Sequence, residues 1–396
     1  MRRLTVTPRE DWQQRVERVG VTFHTLADGS PYWNESAYWE FSAREIDRLE
    51  AATSELQKLA LAAGDAILDQ DRLAQMGIPE TAAAAIRSAW NSEPPALYGR
   101  FDLAYDGSSI KLLEYNADTP TGLVEAAVAQ WYWLQDCFPD ADQFNSLHEK
   151  LIAKWKDLKD YITSPVYFAN AGADEDRMTV AYLEDTARQA GLHTQHIRMQ
   201  DIGWDRKRLR FVDLDNRIIG TLFKLYPWEW LLREAFGPNA LLTLPPASEL
   251  REYGPRKDRR SWGTMLWIEP IWKMMWSNKA LLAILWELNP GHELLLPAYL
   301  DGAREMKDYV RKPLLGREGS GIAVVRNDVA VEGTLAGDSN EGYVYQALAP
   351  MAEGGGKTAV FGSWVVDGEP AGMGIRESSG PITDNTSSFV PHLFRG

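Results

Sequence analysis

Arg100-Phe-Asp-Leu-Ala-Tyr-Asp-Gly-Ser-Ser-Ile-Lys-Leu-Leu-Glu114-Tyr-Asn116-Ala-Asp118-Thr-Pro-Thr121 reads as a β-hairpin that runs into a polar loop. Apolar and aromatic residues alternate over 101–105 and 110–115, and Asp106-Gly107-Ser108-Ser109 between them is turn chemistry. Side chains two apart on a strand share a face, so Arg100 goes with Asp102 and Glu114 goes with Asn116. Two registers are open. A three-residue loop, 107–109, sets Asp102 opposite Glu114 and Arg100 opposite Asn116, with facing residues roughly 5 Å apart. A four-residue loop shifts the register by one and scatters the same groups to opposite faces. In the first case two carboxylates, a carboxamide and a guanidinium crowd one patch of sheet. Carboxylates that close repel unless a cation lies between them, and hard oxygen donors suit Mg²⁺.

On the N-terminal side, apolar residues at three- and four-residue spacing predict helices within 40–90, one of them starting at Pro79-Glu80. On the C-terminal side, 122–134 and 144–158 are helix candidates. The character changes near Ser164-Pro165. A buried strand at 166–170, a loop at Gly172-Ala-Asp-Glu-Asp, a helix at 178–190 and a strand at 194–198 make a β-α-β unit. Its loop lacks the GxGxxG pattern of a dinucleotide site. A further strand at 218–224 runs into Tyr226-Pro-Trp-Glu229-Trp. In the last third the pattern predicts a helix at 279–288 and a strand at 309–312. Strands at 322–326, 343–347, 359–366 and 371–375 then complete one antiparallel sheet. The expected fold class is α/β, with mixed α and β elements.

A chain of 396 residues is long enough for more than one domain. Its net charge of −14 argues against nucleic acid or an anionic membrane as the main partner. The single Cys137 excludes an internal disulfide and a Cys-rich metal site, as expected of a cytoplasmic protein. Following Trp131-Tyr132-Trp133, it reads as a buried small residue. No stretch approaches the roughly 20 apolar residues of a membrane helix. Many of the 16 Trp fall in local clusters, Trp228/Trp230 and Trp262/Trp267/Trp272/Trp276 among them, which suits core packing. The histidines show no HExxH or comparable spacing, and no Ser-His-Asp arrangement is evident.

Several residues outside the hairpin could carry chemistry. Lys312-Pro-Leu-Leu-Gly-Arg317-Glu-Gly319-Ser-Gly321 is a strand feeding a glycine-rich loop with cations on each side. Such a loop lets backbone N–H groups approach phosphate oxygens. It lacks the GK[ST] ending of a Walker A loop, and a plain hairpin loop would read the same way. Lys279 opens an apolar helix, where the helix dipole disfavours a cation; it has another task or is simply solvated. Arg376, at a strand end, suits either capture of a carboxylate or phosphate or a rim salt bridge. Glu229, between two Trp, pairs with Arg233 one turn on or meets a cationic ligand.

Together these residues resemble the synthetase domain of the glutathionylspermidine synthases and the shorter, stand-alone proteins similar to it. The resemblance covers nearly the whole chain, from Pro31-Tyr-Trp-Asn-Glu-Ser-Ala-Tyr-Trp to Gly374-Ile-Arg376-Glu. Its most specific part is Arg100-Phe-Asp102 with Glu114-Tyr-Asn116-Ala-Asp-Thr-Pro-Thr121. The resemblance implies an ATP-grasp-type, glutathione-synthetase-like fold. Residues 1–160 would hold a helical segment and the metal-binding hairpin, 161–250 a β-α-β, pre-ATP-grasp-like subdomain, and 251–396 the nucleotide-binding region with its lid. It implies Asp102, Glu114 and Asn116 as Mg²⁺ ligands and Arg100 as the residue that contacts the ATP phosphates and stabilises the transition state. Lys279 and Lys312 are similar to the family's two nucleotide lysines, Gly319 belongs to the phosphate-covering loop, and Gln346 falls on the adenine side. Arg317 and Arg376 are the implied substrate-side arginines. Thr119, Thr121 and Glu229 are implied to meet a glutathione-like acid or a polyamine-like amine.

Two departures stand out. Bifunctional members carry an added amidase domain with a catalytic Cys and His, for which this chain has no room. Positions 119 and 121 are Thr where serines are usual. The implied activity is ATP- and Mg²⁺-dependent ligation of an acid to an amine through an acyl phosphate. The alternatives are a small-molecule kinase using the same site and an idle nucleotide-binding protein.

Overall fold

The hairpin is not a free-standing unit. It forms one edge of a six-stranded antiparallel sheet, in the order Ser388–Val390, Glu369–Ser378, Lys357–Val366, Tyr98–Tyr105, Ile110–Asn116, with Ala352–Gly354 also paired to Lys357–Val366. The computed structural model describes residues 1–245, 263–335, 339 and 341–396; Trp262 and the expected boundary at 250/251 lie outside the described residues. The sheet's two ten-residue strands come from the last third of the chain. Their stretches at 359–366 and 371–375 were expected in one sheet with 322–326 and 343–347, and the structure corrects this. Ala298–Tyr299, Tyr343–Ala347, Tyr309–Pro313, Ala323–Arg326 and Val329–Glu332 make a separate antiparallel sheet. Pro350, which cannot donate to a ladder, and the turn at Gly355-Gly356 lie between the two sets.

The β-α-β unit is present as read. Val166–Asn170 pairs in parallel with Thr194–Arg198 and with Thr221–Leu225, which pairs in parallel with Leu266–Ile268. Its helix begins earlier than the apolar pattern alone suggests, at Asp174–Gln189. Asp174, Glu175 and Asp176 fall in the first turn, where acidic side chains favour the positive end of the helix dipole.

Helix Ala43–Asp69 opens with a capping box, Ser42 and Glu45 each accepting from the other's backbone N–H. It buries Leu49, Leu56, Ala60 and Ala63 in the main core, each Leu contributing about 1.5–3 kcal/mol over an exposed position. Thr53 Oγ1 meets Ser363 Oγ at 2.6 Å, which joins this helix to strand Lys357–Val366. Trp228, Trp267, Trp272 and Trp276 are buried, as expected of core tryptophans, whereas Trp230, grouped with Trp228 in that expectation, is exposed. Cys137 is half-buried, and burial pushes its thiol up. Among the described residues, no helix is long and apolar enough to cross a membrane.

The hairpin reaches the face-sharing register by a route the alternation did not anticipate. Tyr105 pairs with Ile110, so the loop has four residues, not three. Asp106 holds it, accepting from the backbone N–H groups of Ser108 and Ser109 at 2.8 Å each. That register would scatter the polar groups. A β-bulge at Leu113 then absorbs one residue, Leu103 pairing with Leu112 and Asp102 with Glu114. Arg100 consequently faces Asn116.

Candidate active site

The bulge and the strand ends open onto a cavity of about 260 Å³. Of the residues singled out by sequence, Arg100, Asp102, Glu114, Asn116, Thr119, Thr121, Lys279, Lys312, Arg317, Gly319, Gln346 and Arg376 line it. Glu229 does not, but it reaches the wall through Arg317.

On the hairpin, Arg100 Nε and Nη2 donate to the two oxygens of Asp102 at 2.6 and 2.9 Å, and its Nη1 donates to the Thr121 carbonyl at 2.5 Å. Asn116 Nδ2 donates to Asp102 Oδ2 at 3.2 Å and to Glu114 Oε1 at 2.9 Å. Lys279 Nζ lies 3.0 Å from Glu114 Oε2 and donates to the Gly316 carbonyl at 2.7 Å. The two carboxylates are therefore not bare neighbours, because Arg100, Lys279 and Asn116 already separate their charges. Burial works against ionisation of Glu114, but Lys279 and Lys312 outweigh it and hold its carboxyl well below the usual range. Asp102 moves the other way, raised by burial and by Glu114 against the pull of Arg100.

The bulge links this cluster to the five-stranded sheet. Lys312 Nζ donates to the Leu113 carbonyl at 2.9 Å and to Gln346 Oε1 at 2.8 Å, while Gln346 Nε2 donates to the Leu112 carbonyl at 2.9 Å. Burial pulls the Lys312 ammonium down to about 8, with Glu114 pulling it back up. Beyond Gln346 the wall turns apolar, with Val310, Ile322, Val324, Leu348 and Met351. An apolar slot ending in a few placed polar groups is the usual lining of a site for a flat ring.

The glycine-rich loop lines the cavity through residues 316–319. Gly319 has φ 73°, and a Cβ there would lie 3.0 Å from Ile382 Cγ2 and from the Thr383 carbonyl. Gly319→Val therefore meets both a strained backbone and a clash that lifts the loop. Its turnover per bound nucleotide is expected to fall about 10- to 100-fold, as for other misplacements near 1 Å, with little change in the thermal midpoint. Unchanged steady-state kinetics would remove the loop from the site.

Arg317 Nη1 donates to Thr119 Oγ1 at 2.7 Å, its Nη2 donates to Glu229 Oε1 at 2.8 Å, and its guanidinium sits 5.5 Å from the Trp230 ring centre. Glu229 thus pairs with Arg317 and not with Arg233. Helical i,i+4 spacing puts Arg233 on the same face of Trp228–Arg233 as Glu229, yet Arg233 pairs with Glu341. Arg376 lies within strand Glu369–Ser378 rather than at its end, and its Nη2 donates to the Asp384 carbonyl. The Nε groups of Arg317 and Arg376 and the hydroxyl of Thr383 are buried and have no partner among the described residues. Groups of this kind, in a cavity wall, accommodate an oxyanion brought by a ligand.

Glu175 and Asp176 also line the cavity, and the sequence reading passed over them. Burial and the neighbouring Glu175 push the Asp176 carboxyl up to about 6. Their place in a helical first turn offers a structural explanation that conceals them from pattern reading. The available signal was three successive acids directly after a strand's carboxyl end, where open α/β sheets bind ligands.

The hairpin's donor set fits Mg²⁺. Among the described residues, no group of three or more His, Cys, Asp or Glu gathers to hold a metal. Asp102, Glu114 and Asn116 supply two carboxylates and one amide instead. Mg²⁺ is commonly held by one or two carboxylates together with substrate phosphates, and lysines 279 and 312 line the same cavity.

Residues 3–395 match the family model described as glutathionylspermidine synthase preATP-grasp. A Haemophilus influenzae protein provisionally named an acid–amine ligase is 39% identical over 412 aligned positions, covering 100% of both chains. The trypanothione synthetase of Crithidia fasciculata is 28% identical over 83% of this chain and 52% of its own. The bifunctional glutathionylspermidine synthetase/amidase of Escherichia coli is 27% identical over 89% of this chain and 58% of its own. The chain thus spans little more than half the length of these last two. A solved structure from Methylobacillus flagellatus, titled as a gamma-glutamylcysteine synthetase, covers 83% of this chain and 84% of its own at 12% identity. Its TM-score of 0.37 is too low to establish a shared fold.

Proposed function

The chain belongs to the glutathionylspermidine synthase preATP-grasp family, whose named members are ligases, and from that premise we propose that it joins the carboxylate of a small acid to an amine at the expense of ATP. The observation that carries this reading is one cavity with three kinds of wall. Cations and the hairpin carboxylates make one, apolar residues around Gln346 a second, and arginine Nε groups with no partner among the described residues, together with Glu175 and Asp176, the third.

In this reading Lys279 and Lys312 hold the triphosphate, and Gln346 with the apolar slot takes the adenine. Asp102, Glu114 and Asn116 hold Mg²⁺, which when bound neutralises phosphate charge. Arg376 and Arg317 hold the acid. Its carboxylate oxygen attacks the γ-phosphorus, the bond to the β-phosphate oxygen breaks, and ADP and an acyl phosphate result. Arg100, aimed along the hairpin face, stabilises the charge that builds on the transferring group. The uncharged amine then attacks the acyl carbon, the carbon–oxygen bond breaks, and orthophosphate leaves. Glu175 and Asp176 attract the amine as a cation, and the carboxyl near 6 is placed to take up its proton. The loop at 316–321 excludes water from the acyl phosphate.

The relatives' names suggest a glutathione-like peptide as the acid and spermidine or a similar polyamine as the amine. The reading is tested by ADP release across a panel of thiol peptides and polyamines. ADP is expected only when acid and amine are both present, with one amide formed per ADP. Phosphorylation of a lone acid or alcohol as the stable product would make the protein a kinase. Nucleotide binding without turnover on any pair would make it a binding protein.

A further inference from the structure

Asp118 lies inside the Asn116–Thr121 segment yet does not line the cavity, and its side chain is fully buried. Its Oδ1 accepts from Lys224 Nζ at 2.8 Å, and its Oδ2 accepts from the Trp228 backbone N–H at 2.9 Å. Lys224, on strand Thr221–Leu225, is equally buried; it also donates to the Tyr226 carbonyl at 2.8 Å and lies 4.7 Å from the Trp228 ring centre. On the other side, the backbone N–H groups of Ala117 and Asp118 donate to Ser277 Oγ at 3.0 and 2.8 Å. Ser277 is two residues from Lys279.

Three separate segments therefore meet at one buried point. The first carries Thr119 and Thr121, the second carries Tyr226, Glu229 and Trp230, and the third leads into Lys279. A buried ion pair is weak evidence for stability, since apolar residues of similar volume commonly serve as well. What apolar residues cannot do is direct three backbone segments by hydrogen bonds of fixed geometry. We propose that Asp118 and Lys224 are positioning residues, a buried clamp that aligns the acid-binding loop and the 226–230 segment with the nucleotide lysine. The kinetic consequence rests on the ligase reading above; the geometric one does not.

The test is the full chain carrying Asp118→Asn with Lys224→Met, which removes both charges together and leaves neither buried alone. Amides at 117–121 and 226–233 are expected to exchange about tenfold faster, while those of the 98–116 hairpin hold their protection. The KM for a thiol-peptide acid is expected to rise about tenfold or more, with that for ATP changed less than about threefold. A purely structural role would instead loosen the whole fold or leave both KM values alone. Unchanged exchange at 117–121 and 226–233 overturns the clamp. A wild-type chain that turns over no acid overturns the ligase reading, and the exchange data still decide the clamp. Should the double variant not fold, Ser277→Ala, which keeps both charges, must free the 117–118 amides and leave the hairpin protected. Full protection there overturns the proposal.

Discussion

Asp102→Asn combined with Glu114→Gln is expected to lower Mg²⁺-dependent ADP release by about 10³-fold, the scale of losing a preorganised charge-stabilising group. The substitution keeps shape and removes only charge. In the wild-type cavity three cations, Arg100, Lys279 and Lys312, face two carboxylates, Asp102 and Glu114. The double variant keeps the cations and loses both counter-charges. Two further results follow from that balance. Nucleotide binding without Mg²⁺ is expected to persist or tighten, because the phosphates meet an uncompensated positive cluster. The free protein is expected to lose about 3 kcal/mol, the cost of breaking a buried ion pair, and saturating ATP should restore part of it. Calorimetric titration with and without Mg²⁺, thermal midpoints and ADP release measure all three. Undiminished Mg²⁺-dependent turnover would remove the carboxylates from any metal role.

The same cluster shows where sequence reading succeeds and where it stops. Of the two registers left open, the one that set Asp102 opposite Glu114 is the one observed at those residues. The loop length that was to produce this is wrong, and the Leu113 bulge supplies the missing residue. A bulge leaves little trace in a strand whose residues at 112 and 113 are both Leu. Its stabilising partners, Lys312 on the 113 carbonyl and Gln346 on the 112 carbonyl, lie 199 and 234 residues away in sequence. The helices and the parallel β-α-β unit were legible because local periodicity determines them. Strand partners in antiparallel sheets are not local. The joining of the 357–378 strands to the 98–116 hairpin was for that reason missed. Arg317 was expected at the site and lines the cavity, but its contact with Glu229 was not read from the sequence, since the two are 88 residues apart. Glu175 and Asp176 were passed over because a helix start accounts for acids without any ligand.

Lys312 turns the cavity's electrostatics into a pH dependence with two opposite signs. Burial brings its ammonium from 10.5 down to about 8 in the folded chain. Between those values the unfolded chain binds the proton and the folded chain does not. The folded state therefore gains stability from this group as pH rises through that window, and below about 8 the contribution is flat. Nucleotide binding runs the other way. A phosphate attracts the ammonium and not the amine, so ATP affinity is expected to fall above about pH 8, by at most about tenfold per pH unit. Titration of ATP binding and of the urea midpoint from neutral to alkaline pH should give these opposing slopes. Lys312→Met is expected to weaken ATP binding by about 100-fold at neutral pH, as for loss of one buried charge partner, and to flatten both alkaline slopes. The Met side chain can follow the channel of the Lys stem, but the Leu113 carbonyl and Gln346 Oε1 lose their common donor. If the alkaline fall in ATP affinity survives in Lys312→Met, another group meets the phosphates, and the bulge then serves the fold rather than the nucleotide.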